Sequence, residues 1–581
     1  MKNLIYLFLA ASLIFTSCEK DAIEPPVEPP VNGELSTDII KDTTFTLGTY
    51  IIDGTIRVRN ATVTIEPGVI FKFTDGSGFD FAYWDGEYST LIAKGNKSLP
   101  ITFTSVSTSP NDGDWDGLRF YKGANNCELD YCYIEYAGGN DYYGSVYVEE
   151  AMISMTNSEI RNASNVGIRL KHEGGFTAFD RNYMANIDSY PISVFANNVH
   201  TIAGNNSYET ALGIWIENDE NFTLQGEYTW TNQGIPYYQE GTIRFGAGGQ
   251  GCVINIEQGT EVLFMNDALW DVAYWDNEFA TIIAHGTVEK PILFSSANPV
   301  PSAGDWKGIH FFDGANNCSF DHCTFEFGGG DDFYGMISVK DSHVAFTNCE
   351  FYYSAANALT LLHEAWFTDF GNNTFLGNAL YPISILPNFV HTIIGENSIT
   401  TDMGILVTND EDLNKQGEYV WTNQTAPYLI EGTVRIGTTG LGVSLTIEPG
   451  TIIKFYNGAQ FDIAYWSDHS ASLIANGTAE EPIIFTSANP VPNNDDWDGL
   501  NFDNGSNNCV INNCIISYAG GNGTPWGAIT LSNAGSPISL SNTHFSHIAS
   551  HAISVDEDES SVDYSNNVTF EDIAGSDYYV R

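Results

Sequence analysis

The dodecapeptide SLTIEPGTIIKF, residues 444–455, decides the fold. Two short alternating runs rich in Ile and Thr flank a Gly-closed turn, the pattern of successive strands rather than of a helix. The turn recurs as TIEPG, NIEQG and TIEPG closing at Gly68, Gly259 and Gly450, 191 residues apart each time. Working outward at that interval, Trp115, Trp306 and Trp497 sit in GDWDG, GDWKG and DDWDG. Cys127, Cys318 and Cys509 end GANNC, GANNC and GSNNC, and Cys132, Cys323 and Cys514 follow five residues later. His200 and His391 repeat in NNVHTIAGNNS and NFVHTIIGENS. The chain therefore contains tandem copies, over residues 44–234, 235–425 and an incomplete 426–581.

A shorter period lies inside each copy. In the middle one, strand-like starts fall at residues 242, 260, 281, 307, 336, 358, 382 and 404, with steps of 18 to 29 residues. The runs are short, rich in Val, Ile, Phe and Thr, and separated by Gly, Asn and Asp turns; helical periodicity is missing. Units of this length stacked side by side form a β-solenoid, in which each coil buries its apolar face only against its neighbours. Asn-rich turns (NASN, AGNN, GNN, SNN) predict stacked side-chain amides at the corners.

SLTIEPGTIIKF, SLIANGTAEEPIIFTSA and DDWDGLNF together resemble the right-handed parallel β-helix proteins, the pectate-lyase-like superfold, and in particular their bacterial surface members. The likeness extends over residues 44–581 and implies an all-β rod of about 22 coils, ~105 Å long at the usual strand spacing. It leaves function open, because this superfold carries lyases, hydrolases, adhesins and purely structural rods.

The N-terminus supplies an address. Lys2 and an apolar run over residues 4–15 read as a signal peptide, residues 1–17. FTSC followed by EKDAIEPP resembles a bacterial lipoprotein signal, with Cys18 as the acylated residue and a Pro/Glu-rich tether over 18–43. The resemblance implies attachment to the outer membrane of a Gram-negative bacterium, facing the exterior. With 73 Asp plus Glu against 22 Lys plus Arg, the surface repels phosphate backbones and excludes nucleic acid as a partner. Extracellular polysaccharides or cell-surface glycans that are not themselves anionic remain open to it.

Several groups are candidates for chemistry. DFAYWDGE, DVAYWDNE and DIAYWSDH place Trp84, Trp275 and Trp466 where a tight turn is usual, with Asp85 and Asp276 beside the first two. Exposed, such an aromatic beside acids would hold a sugar; folded back, it would cover its own coil. Three equivalent loops eight coils apart would offer multivalent contact along a polymer. The tryptophans of the DWDG segments read as core. No cofactor is required, although Asp112, Asp114 and Asp116, or Asp331 and Asp332, could gather around calcium. The pairs Cys127–Cys132, Cys318–Cys323 and Cys509–Cys514 are either corner disulfides or buried thiols. Finally, GIRLKHE puts Arg169 and Lys171 on the outer face with Tyr147 and Glu149 one coil earlier, a basic patch missing from the second copy. In the superfold it resembles, such a group removes a proton α to a uronate carboxylate, which is the lyase alternative to the leading expectation, an adhesive or glycan-binding surface rod. A purely structural or protein-binding rod is the third reading.

Overall fold

A computed structural model describes residues 31–581 except 219–220, 250, 332, 441, 467, 533–537 and 558–561. The expected signal peptide, Cys18 and the first part of the expected tether lie outside the described residues. The chain winds as a parallel β-helix of about twenty coils, slightly fewer than expected. It begins earlier than the sequence suggests: Val31–Leu35, inside the expected tether, pairs in parallel with Thr49–Ile52.

Each coil has three faces. In the first copy the first face holds Thr49–Ile52, Ile70–Phe73 and Ile101–Ser105, the second Thr55–Val58, Gly78–Phe81 and Gly117–Phe120, and the third Ala61–Ile65 and Ser89–Lys94. Alternation works as the sequence pattern requires: Val63, Ile65, Phe71 and Phe73 point inward and are buried, while their neighbours point out. Inside, Trp115, Trp306 and Trp497 are fully buried and stack on Phe73, Phe264 and Phe455 at 3.9, 4.2 and 4.2 Å between ring centres. Each indole N–H donates to a carbonyl of the next coil, on Glu135, Glu326 and Ser517. These tryptophans are core, as expected. Corner amides stack from coil to coil, as in Asn182 to Asn206 to Gln233 and in Asn567 to Asn542 to Asn512.

The copies do not stack face on face. The second face of the first copy contributes seven strands to a 14-stranded sheet, and its last strand, Ile214–Glu217, pairs with Tyr237–Gln239. Tyr237–Gln239 opens the first face of the second copy, being equivalent to Thr49–Ile52. A copy therefore spans seven coils and one further face, where the sequence suggested eight coils. The eight strand starts read from the sequence include strands of different faces of one coil, which inflates the count. In consequence Gly78–Phe81, Leu269–Val272 and Gln460–Ile463, the strands that lead into the three AYW loops, belong to three different sheets.

Candidate functional site

The AYW loops are built alike. Ala82, Ala273 and Ala464 take left-handed φ values of 55°, 55° and 57°, which turns the chain outward after the strand. Tyr83, Tyr274 and Tyr465 then lie over the guanidinium groups of Arg57, Arg244 and Arg435 at 4.9, 4.8 and 5.0 Å. Each Arg, from the preceding coil, also reaches the buried carboxylate of Asp80, Asp271 or Asp462 at 3.8, 3.7 and 3.9 Å. The neighbouring Trp packs edge-on against the Tyr ring at 4.7, 4.6 and 5.0 Å. In the first two copies Glu87 and Glu278 close the loop, accepting from the Trp84 and Trp275 N–H and donating their own N–H to the same residues' carbonyls. In the third copy His469 keeps only the backbone bond, to the Trp466 carbonyl.

The outcome is an indole held from beneath and open above. Trp84, Trp275 and Trp466 are 54%, 58% and 53% exposed, so the choice left open by the sequence falls on exposure. Asp85 and Asp276 are exposed beside them, whereas Glu87 and Glu278 are braces.

Around Trp84 the walls form a cleft of about 930 Å³. Its far wall is the loop at residues 138–144, which folds Tyr142 and Tyr143 over Tyr147 at 6.0 and 4.9 Å. Tyr147 stands on the outer face, as its alternation predicts, yet this loop buries it completely. Tyr143 also covers Arg119 at 4.8 Å, and Arg119 pairs with Asp80 at 2.5 Å in the floor. Burial outweighs both arginines at Asp80 and raises its pKa. Burial likewise raises the Tyr121 and Tyr147 phenols, helped by the carboxylates of Asp80 and Glu149 respectively. The rim is acidic, with Glu149 3.5 Å from His172 and Glu150 2.5 Å from Lys122.

The second copy has a smaller cleft, about 330 Å³, around Trp275. Phe312, Ser338 and Lys340 stand there for Tyr121, Tyr147 and Glu149, and Asp503, Thr530 and Ser532 occupy those places in the third. The wall aromatics were missed from the sequence because NDYYG and DDFYG read as acidic turns. Their signal was present: Tyr142-Tyr143 and Phe333-Tyr334 recur at the interval of Trp84 and Trp275.

The other candidates are placed differently. Lys171 is buried with its ammonium 2.5 Å from Glu217 and over the Phe195 ring at 4.4 Å, and Arg169 reaches the same carboxylate at 3.5 Å. Glu149 lies one strand away, opposite Lys171. The patch is thus a covered ion network in which Lys171 is already engaged. Asp114 caps its own turn, accepting from Ser105 Oγ and the Asn111 N–H, as Asp305 and Asp496 do in the other copies. Asp116 pairs with Arg119, Asp331 accepts from the Phe333 N–H, and Asp112 is exposed; Asp332 lies outside the described residues. Among the described residues no three His, Cys, Asp or Glu side chains converge as a metal site. The disulfide alternative is corrected: Cys127, Cys132, Cys318, Cys323, Cys509 and Cys514 are buried free thiols. The reason is geometric, since Cys127 and Cys132 open strands on different faces with left-handed Tyr131 between them. Their sulfurs hydrogen-bond instead to the preceding coil, at Leu91 N–H and Ala93 carbonyl. Burial pushes Cys127 and Cys318 up to about 12, which keeps them protonated and unreactive.

No curated protein and no solved structure matches the chain. Residues 414–509, which span the join between the second and third copies and the third AYW loop, match the family of pectate-lyase-like β-helix domains.

Proposed function

We propose that this protein is a surface-anchored glycan-binding rod, with the AYW loops as contact points and the Trp84 cleft as the principal site. The observation that carries this reading is the braced, exposed indole, repeated three times. A flat apolar ring held in one orientation costs little entropy on binding and matches the face of a pyranose, while adjacent carboxylates accept from its hydroxyls. The family match supports the rod and leaves its ligand open. The lyase alternative has no comparable support, because Lys171 would have to leave Glu217 before it could take a proton. Attachment through an acylated Cys18 to the outer membrane, with the rod facing outward, completes the proposal.

Affinity electrophoresis in gels containing xyloglucan, galactomannan, mixed-linkage glucan or chitosan tests the binding. Retardation by at least one of them, lost stepwise in Trp84→Ala and Trp275→Ala, is the expected result; unretarded protein in all four overturns the proposal. Labelled fatty acid should enter the wild-type chain and not Cys18→Ser.

A further inference from the structure

We propose that the Trp84 cleft binds an amino-sugar glycan, taking its protonated amine between the aromatic wall and the acidic rim. The inference rests on the glycan-binding reading and narrows its ligand. Two features of this cleft carry the inference. It has the most aromatic walls: Trp84 and Tyr142 are exposed at its mouth, with Tyr121 and Tyr147 below. Ring faces attract a cation, most strongly where water is partly excluded. It also carries an unbalanced charge. Glu87 and Glu150 are paired with Arg59 and Lys122, but among the described residues Asp85 makes no ion pair, and it stands beside the Trp84 ring.

The second copy serves as an internal contrast. At the position of Glu149 it has Lys340, but Asp313 replaces Lys122, so both clefts are lined by four carboxylates and one lysine and differ in their aromatic walls. At the same register position the third copy has Ser532, whose hydroxyl accepts from Arg581. Trp84, Trp275 and Trp466 are kept, so a sugar ring fits all three loops, while six aromatic side chains wall the first cleft against four in the smaller second, which favours a cation in the first. The excess of acid over base in the whole chain draws cationic polymers toward the rod before contact. An open cleft with an exposed indole at its mouth suits a pyranose ring better than the narrow stem of a lysine side chain.

Calorimetry on the full chain tests this with the glucosamine hexamer, the N-acetylglucosamine hexamer, cellohexaose and oligolysine. The glucosamine hexamer is expected to bind at least about tenfold more tightly than the two neutral hexamers, and less tightly as salt is raised. Trp84→Ala should remove the tighter binding of the glucosamine hexamer and leave the weaker binding of the other two loops, while Asp85→Asn and Glu149→Lys should weaken the glucosamine hexamer more than the neutral hexamers and so erase the preference; Asp85 is exposed, so its variant leaves the fold intact. Equal, salt-insensitive binding of all three hexamers overturns the amine assignment and leaves glycan binding standing. Binding of none of the sugars overturns both. Binding of oligolysine as tight as that of the amino sugar, and lost in Trp84→Ala, assigns the cleft to a polypeptide cation instead.

Discussion

Trp84 and Trp115 carry one side chain to opposite fates, and their neighbours explain why. Trp115 follows Asp114, whose carboxylate caps the turn, and precedes a strand, so its ring swings inward onto Phe73. Trp84 follows a left-handed Ala and rests on a Tyr that an Arg already occupies, so its ring stays out. Trp115→Ala is therefore expected to cost about 3–5 kcal/mol, whereas Trp84→Ala costs within about 0.5 kcal/mol; denaturant titration of the two variants checks this. The thiols give a second expectation at this scale. Unfolded without reductant, the chain should expose all eight described cysteines to an alkylating agent, and mass spectrometry would count them. Asp503 gives a third. Half-buried beside Asp462 and Asp556, it has a pKa raised to about 7, chiefly by burial, against about 3.9 for an unfolded Asp. A raised carboxyl favours the folded state when protonated, so its contribution is full below about pH 4 and disappears as pH rises through 7. Amide protection in Gly499–Phe502, taken relative to the intrinsic exchange rate at each pH, should fall over that window in wild type and not in Asp503→Asn.

At the scale of elements, the strand pattern, the corner amides and the core tryptophans were legible because alternation and a fixed repeat report burial directly. The brace under the AYW loops was not. Arg244 and Arg435 are 191 residues apart, but Arg57 lies 187 before Arg244, because the turn at residues 59–60 is four residues shorter than that at 246–251. An interval search at one spacing passes over it. The wall of the first cleft was hidden for a different reason: its aromatics recur at the interval, but the loop at 138–144 reaches back across a coil, and no periodicity encodes that contact. The brace makes its own prediction. Arg57→Ala removes the cation from beneath Tyr83 and one partner of Asp80, so the loop should loosen. Faster amide exchange at Glu87 and lower fluorescence anisotropy at the indole are expected, with a loss of roughly 0.5–1 kcal/mol from the ring contact. Unchanged exchange would mean that the glutamate closure alone holds the loop.

Across the whole molecule, the extra face in each copy sets the direction of the sites. Three loops on three sides of a rod cannot all meet one straight polymer, so the expected gain from repetition is bridging rather than tighter grip on a single strand. Mixed with a long polysaccharide that it binds, the wild-type chain should scatter light most strongly at intermediate ratios. A Trp84→Ala/Trp275→Ala variant, with one loop left, should bind without scattering. Strong avidity for a single long strand with no scattering would place the loops on one line. Copying a whole number of coils would have produced that line. The additional face instead gives the rod a threefold screw axis at the level of its copies. Three copies complete the cycle, and a fourth added at the same joint would point its indole in the direction of Trp84 again, apart from the gradual twist of the sheets.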